Sequence, residues 1–234
     1  MKARGIDFSI ILPVYNQAGH IEQAFIAYID ALEKTRYSFE IILVVNNSKD
    51  GSKKVCEQLA KKNQTIKSKY MEIGGWGRAV KAGLNVATGD FICYSNSART
   101  SAQDLSLLLL YAAVNENRVI KANRKIRDNI VRRLGSLLYN LECRALFDIP
   151  YWDINGTPKV FPKEFVSLFE LTRDDDLIDL EFVAFCKQNN YPLLEVPIYS
   201  QRRHGGKSTT NIKSAIKMYL NALLMWIAIR KDPK

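Results

Sequence analysis

Two stretches of this chain gather side chains that could act on phosphate. In "QRRHGGKSTTN", Arg202, Arg203, His204 and Lys207 surround Gly205 and Gly206. A glycine turn bearing four nitrogen-carrying side chains can fold over a diphosphate and neutralise it. It is not a P-loop, because Gln201 stands where that motif needs its first glycine. The run 118–133 sets Arg118, Lys121, Arg124, Lys125, Arg127, Arg132 and Arg133 against one acid, Asp128. Taken alone it reads as a solvated basic face. A third stretch, "RDDDLIDLE", supplies carboxylates. Asp174, Asp175 and Asp176 precede an apolar helical pattern and suit its dipole. Asp179 and Glu181 lie two apart, so on a helix only one of them can point into a given site.

Other chemistries find no pattern. His20 and His204 have no metal-ligand spacing, and His20 reads as a helix-face residue. Cys56, Cys143, Cys93 and Cys186 form no C-x-x-C pair, so a zinc or dithiol site is not expected. They read as reduced, mostly buried thiols of a cytoplasmic protein. No aromatic residues interleave with the basic run, and no helix-turn-helix or zinc-finger spacing occurs. Nucleic acid is therefore not the expected partner.

The elements that must position these residues alternate. "DFSIILPVY" reads as a strand ending at Pro13, and "QAGHIEQAFIAYIDALEK" as a helix with Ile21, Phe25, Tyr28, Ile29 and Leu32 on one face. "FEIILVV" reads as a strand covered on both sides. A helix "SKKVCEQLAKK", a strand "IKSKYMEI" and a helix "GRAVKAGLNVA" closing at Gly89 follow. "DFICYS" is the next strand, and Ser101 caps the helix after it. This order predicts an α/β domain with a mostly parallel sheet. Ligands bind such sheets at the carboxyl strand ends, here "PVYNQ", "VNNSKDGS", "GGWGR" and "SNSART". In the second half, the basic segment is expected to run into a helix. "DINGTPKVFPKEF" reads as a turn and short strand, "DLIDLEFVAFCKQNN" as a helix and "PLLEVPIYS" as a strand.

The bulk numbers agree with one globular unit. The chain has 234 residues, 47% hydrophobic and 25% charged, with a formal net charge of +10. That charge favours anionic partners. The start "MKARGIDFSI" is too polar for a signal peptide. The longest apolar stretch, Met218 to Ile229, is too short to span a bilayer.

Taken in order, these motifs resemble family 2 glycosyltransferases of the GT-A fold, and among them the dolichyl- or polyprenyl-phosphate sugar synthases. The likeness rests on "SIILPVYNQAGHIEQ", "VNNSKDGS", "GGWGRAVKAGLNVATGDFICY", "DINGTPKVF", "DLIDLEFVAFCKQNNYPLLEVPI" and "RRHGGKSTT". It runs from about residue 8 to residue 215. It implies a GT-A domain over 1–210 and an amphipathic, membrane-interfacial helix over 211–234. It also implies a nucleotide-diphosphate sugar as donor, a lipid phosphate as acceptor and a place at the inner face of the membrane.

Carried over to this chain, Pro13, Tyr15 and Asn16 line the base pocket, and Asn46 or Asn47 contacts the base. Arg78 lies near the donor, and Arg203 and Lys207 grip the diphosphate. Asp153 begins the acceptor turn, and Arg124, Arg127 and Arg133 bind the acceptor phosphate. Asp179, with Glu181 second, is the base if the acceptor is a hydroxyl.

The family's Asp-x-Asp metal motif is replaced by Ser95-Asn96-Ser97. Serine and asparagine oxygens are poor sole ligands for Mg²⁺ or Mn²⁺. One expectation is that Arg99, with Ser95 and Ser97 at the donor, supplies fixed positive charge in place of a metal. Another keeps a metal on other carboxylates. The alternatives to a polyprenyl-phosphate transferase are a transferase to a glycan hydroxyl and a catalytically silent binding partner.

Overall fold

A computed structural model describes residues 5–125, 130–199 and 212–231. Among them, seven strands form one sheet in the order β3-β2-β1-β4-β6-β5-β7. They are β1 Phe8–Val14, β2 Phe39–Asn46, β3 Ile66–Met71, β4 Phe91–Tyr94, β5 Val119–Arg124, β6 Lys159–Pro162 and β7 Leu193–Ile198. β3, β2, β1 and β4 are parallel, β6 runs antiparallel to β4 and β5, and β7 is parallel to β5. The ends of β1 to β5 and β7 and the start of β6 therefore share one edge.

The helices are α1 Ile21–Glu33, α2 Ser52–Lys62, α3 Trp76–Leu84, α4 Ala102–Ala113, α5 Ile130–Phe147, α6 Ile178–Gln188 and α7 Ile212–Lys231. β1 and β2 bury nearly every residue, because one apolar cluster packs on each face of the sheet. α1, α2 and α4 cover one face, and α3, α5, α6 and α7 the other. α1 turns Ile21, Phe25, Tyr28 and Leu32 inward, as its periodicity predicts. Ser101 caps α4 by accepting the Asp104 N–H at 3.0 Å. All four cysteines are buried and free.

Three expectations change. α3 ends at Leu84, so Gly89 is not its stop. A Cβ at Gly89 would meet the Ser9 backbone nitrogen at 2.6 Å, so its smallness serves the crossing of β1. The basic segment contains a whole strand, β5, which pairs with both β6 and β7. Lys121 within it is wholly buried, so the solvated-face reading fails there. His20 is the N-cap residue of α1 rather than a member of its face.

α7 is not detached from the domain. It buries Ala222 and Met225 in the second cluster, and its Tyr219 ring packs edge-on against Tyr139 of α5. Among the described residues no helix is long and apolar enough to cross a membrane.

Candidate functional site

The shared strand edge brings together the loop after β1, the turn after β2, the glycine loop before α3, the tip after β4, the turn before β6 and the N-terminus of α6. Tyr15 is exposed at the end of β1, while Pro13 is buried within the strand. Asn16 takes a positive φ of 49°, and its Oδ1 accepts the Lys49 N–H at 2.8 Å. Its own N–H donates to Ser48 Oγ. The loops after β1 and β2 are thus tied to each other.

The two asparagines of the β2 turn divide their roles. Asn46 Oδ1 accepts the Gly75 N–H at 2.9 Å, so it holds the glycine loop. Asn47, at φ 51°, keeps a buried Oδ1 with no hydrogen-bond partner. An unsatisfied buried acceptor is costly, and a donor from a bound base would relieve it.

The glycine loop owes its composition to α6's leading loop. A Cβ at Gly77 would lie 2.3 Å from the Arg173 carbonyl oxygen, and one at Gly75, already at φ 150°, 2.5 Å from the Asp174 oxygen. Only glycine allows that approach. Asp174 then accepts Arg78 at 2.5 Å and Lys81 at 2.8 Å. It serves α3 rather than the dipole of its own helix. Asp175 does act at that helix start, accepting the Leu177 N–H at 3.1 Å.

The β4 tip is closed. Ser95 and Ser97 are wholly buried. Ser95 Oγ pairs with Thr100 Oγ1 at 2.7 Å. Ser97 Oγ has two acceptors, the Pro13 carbonyl at 3.1 Å and Gln17 Oε1 at 3.0 Å. Ser97 braces the tip against β1 and the loop after it, and Ser95 ties the tip to Thr100 just before α4. Arg99 sits half-buried on the same turn, its N–H bonded to the Asn96 carbonyl.

The two helix acids part company. Glu181 turns back to the preceding loop, accepting the N–H groups of Thr172 and Arg173 and the Thr172 hydroxyl at 2.6 Å. Asp179 turns into the edge. Its Oδ2 accepts Trp76 Nε1 at 3.1 Å, and its Oδ1 accepts the Tyr94 hydroxyl at 2.9 Å and Lys159. Three donors from three elements converge on one buried carboxylate. Burial lowers the pKa of Lys159 to about 8, and the charge of Asp179 opposes that shift.

The β5 side of the edge holds two more ion pairs. Arg124 donates to Asp153 twice, Nε to Oδ2 at 2.7 Å and a terminal nitrogen to Oδ1 at 2.6 Å. Arg124 is thus held by Asp153. Lys121 donates to Glu195 at 2.7 Å and to the Trp152 carbonyl at 2.6 Å. Arg133 is exposed near the start of α5. Arg127, Arg203 and Lys207 lie outside the described residues, as do Arg202 and His204.

Sequence reasoning missed Lys159, Tyr94 and Trp76. The available signal was a lysine in "PKVFP", since a charged residue inside so apolar a strand requires a buried counter-ion. It also read Asp176 only as a dipole partner. Asp176 keeps an exposed side chain and makes no hydrogen bond or ion pair among the described residues. Protein atoms around it, and then the like charges of Asp179 and Asp175, push its pKa up.

Among the described residues the tip offers a divalent ion no carboxylate: its serine hydroxyls are bonded inside the fold, and Asp50, Asp153, Asp174, Asp179 and Glu181 are bonded to cations or N–H groups of the chain. Among the described residues no group of three or more His, Cys, Asp or Glu is gathered as a metal cluster.

Comparison with known proteins gives the frame a lineage. Glycosyltransferase AglD of Haloferax volcanii is 22% identical over 246 aligned positions, covering 99% of this chain and 39% of AglD. An undecaprenyl-phosphate 4-deoxy-4-formamido-L-arabinose transferase of Pseudomonas fluorescens is 21% identical, over 88% of this chain and 61% of its own length. The chain thus spans about two fifths and three fifths of these relatives.

Two solved structures share the fold. Glucosyl-3-phosphoglycerate synthase from Mycobacterium tuberculosis, in complex with Mn²⁺, UDP-glucose and phosphoglyceric acid, superposes with a TM-score of 0.72 at 13% identity. It covers 98% of this chain and 81% of that one. A mannosyltransferase from Pyrobaculum calidifontis with GDP-mannose and Mn²⁺ gives 0.61 at 16% identity, over 100% and 66%. The sheet order and flanking helices are those of the GT-A fold. The family model for glycosyl transferase family 2 matches residues 9–162, well over half of the sequence, and the chain belongs to that family.

Proposed function

We propose that this chain moves a sugar from a nucleotide-diphosphate sugar to a polyprenyl phosphate at the cytoplasmic face of a membrane, with inversion and without a metal ion. The observation that carries the reading is the state of Asp179. It stands where a general base would, yet its buried carboxylate is held by Trp76, Tyr94 and Lys159. Both of its oxygens are occupied by donors of the chain, so it is not presented to an incoming hydroxyl. A phosphate acceptor does not need a general base, because its second pKa is roughly 6 and its oxygen is already anionic near neutrality. The names of the curated relatives support the same acceptor class.

In this reading Tyr15, Asn16 and Asn47 seat the base, and Asn46 positions the glycine loop. Arg99 is assigned to the donor diphosphate together with Arg203 and Lys207 of the glycine-turn motif, while Arg78, held by Asp174, steadies the glycine loop beside it. The fixed cations stabilise the leaving nucleoside diphosphate as charge develops on it. Asp153 keeps the acceptor turn in place through Arg124. Arg127 and Arg133 meet the acceptor phosphate.

A second reading has one observation in its favour. Asp176 is exposed at the same edge with a raised pKa, which suits a general base. A glycan hydroxyl would then be the acceptor.

The deciding experiment is a transfer assay. UDP-, GDP- and dTDP-sugars are offered with polyprenyl phosphate or with glycan acceptors, each with Mn²⁺ or EDTA. Sugar-phosphoprenyl product in EDTA, with kcat/KM rising through a pKa of about 6, is expected. Product only on glycan, abolished by Asp176→Asn, would establish the second reading. No turnover with any pair would overturn both.

A further inference from the structure

α4 is apolar on two sides. Its inward side buries Ala102, Leu105, Leu108, Leu109 and Ala112 in the first cluster. Its outward side carries Leu107, Leu110, Tyr111 and Val114, at the i, i+3, i+4 and i+7 spacing of a single helical stripe, and these are 38–76% exposed. A helix that is apolar all round is ordinarily buried all round, whereas a surface helix turns charge outward. α2, on the same face of the sheet, does so with Lys53, Lys54, Glu57 and Lys61. Scattered apolar side chains are ordinary on a protein surface. A continuous stripe along one helix marks an interaction surface.

The stripe borders a groove. Between α1 and α4 lies a space of about 580 Å³, lined by Ala24, Ala27 and Ala31 of α1 and by Gln103 and Ser106 of α4. The small side chains leave room for a third helix to lie along the two. Apolar anchors at i, i+3, i+4 and i+7 beside such a groove are the pattern of helix-in-groove recognition. Ser106 Oγ, which lines the groove, is buried and has no hydrogen-bond partner. A polar group of an occupant would satisfy it.

Charge selects the occupant. Segments 20–34 and 101–116 hold five acids, Glu22, Asp30, Glu33, Asp104 and Glu116, and one lysine or arginine, Lys34, in a chain whose formal net charge is +10. Lys34 is already paired with Asp30 at 2.7 Å. Glu22, Glu33 and Glu116 are exposed. This acidic face repels an anionic bilayer or a nucleic acid. A second copy meeting it with the same face would set acid against acid. A cationic segment with apolar side chains at helical spacing satisfies the stripe, the groove and the charge together.

We propose that the α1–α4 face docks a cationic amphipathic helix of a partner protein. The apolar side of that helix packs on Leu107, Leu110, Tyr111 and Val114, and its lysines or arginines meet the acids of α1 and of the two ends of α4. The face lies across the sheet from α3, α5, α6 and α7. The inference therefore goes beyond the proposed function and does not depend on donor or acceptor.

The test is fluorescence anisotropy of the full chain with a labelled leucine–lysine peptide of about 18 residues, its leucines at helical spacing. A scrambled peptide of the same composition and a leucine–glutamate peptide of the same pattern are the controls. The patterned leucine–lysine peptide is expected to bind about tenfold or more tighter than either control, with an affinity that falls as salt is added. Leu110→Lys with Tyr111→Lys should weaken it by about tenfold or more. Asp30→Asn with Glu116→Gln should weaken it less and flatten its salt dependence. Thermal melting checks that each variant folds, and Leu107→Ser with Val114→Ser gives the same reading of the stripe with a milder change. Equal binding of the scrambled peptide would overturn the proposal, as would no binding at all. Parent-like binding by the stripe variants would place the peptide elsewhere and overturn it too. A dimer in light scattering that the stripe variants dissociate, with no peptide binding, would assign the face to a second copy instead.

Discussion

Replacing Lys159 by methionine tests the ion pair beneath the site. Methionine fills a similar volume and carries no charge. Lys159 donates to Asp179, and the two side chains are 0% and 6% exposed. Without the lysine, a buried carboxylate is left with two neutral donors, Tyr94 and Trp76. Removing one partner of a buried pair costs about 3–5 kcal/mol. Against a total stability of about 5–15 kcal/mol, that is a large fraction. In a chain of this size each kcal/mol moves Tm by roughly 2–4 °C, so Tm should fall by roughly 6–20 °C. Guanidinium titration and thermal circular dichroism both read it. Lys159→Met combined with Asp179→Leu removes both charges and should recover most of the loss, since an apolar pair is about as stable as a buried ionic one. A single variant within about 1 kcal/mol of the parent, or a double variant no better than the single, would refute the reasoning.

The same pair has a pH signature. The folded pKa of Lys159, about 8, lies below its ordinary 10.5. Between those values the unfolded chain holds a proton that the folded chain has shed, so this group makes stability rise with pH. In the parent protein the cysteines mask the rise. Burial pushes Cys56, Cys143 and Cys186 up to about 12 from 9. Their contribution to stability is intact below pH 9 and is lost as pH climbs toward 12. The diagnostic is therefore the difference between parent and Lys159→Met, which should widen from pH 8 to 10.5. A flat difference would mean that Lys159 titrates at its ordinary value.

Three further substitutions separate support from chemistry. Glu181→Ala strips the Thr172–Arg173 loop of its acceptor and should cost about 1–3 kcal/mol with kcat little changed; a fall in kcat of about 10² or more would make Glu181 the base after all. Gly77→Ala forces a Cβ against the Arg173 carbonyl and should destabilise by about 1–3 kcal/mol while raising the donor KM, read by melting and steady-state kinetics. Arg99→Ala should lower kcat by about 10², and parent-like kinetics would remove Arg99 from the donor site.

Where one kind of residue fills an element, the sequence was readable. α2 spans Ser52–Lys62 as its pattern predicts, and β1 and β2 are unbroken apolar runs. β5 was hidden because Lys121 and Arg124 interrupt "VIKANR" with charges that belong outside by default. Their partners, Glu195 and Asp153, lie 74 and 29 residues further on. Lys159 and Asp179 are 20 apart and were read separately, one as strand and one as base. Residue types name a charge, but only the fold states whether it is offered to a ligand or already answered. Glu181, second to Asp179 as a candidate base, accepts the Thr172 and Arg173 N–H groups, and Arg124 pairs with Asp153.

That distinction bears on the missing acids of the β4 tip. A metal-binding tip presents carboxylates whose charge the ion must offset. Here the tip carries serines turned inward. The nearby acids Asp153, Asp174 and Asp179 already offset Arg124, Arg78 with Lys81, and Lys159. Asp176, beside them, has no such cation partner among the described residues. A donor diphosphate arriving at this edge thus meets few unpaired negative charges, and it adds its own to a chain with ten positive charges in excess. In the proposed reading that balance takes the place of a metal ion, and Arg99 on the tip is the cation assigned to the leaving group.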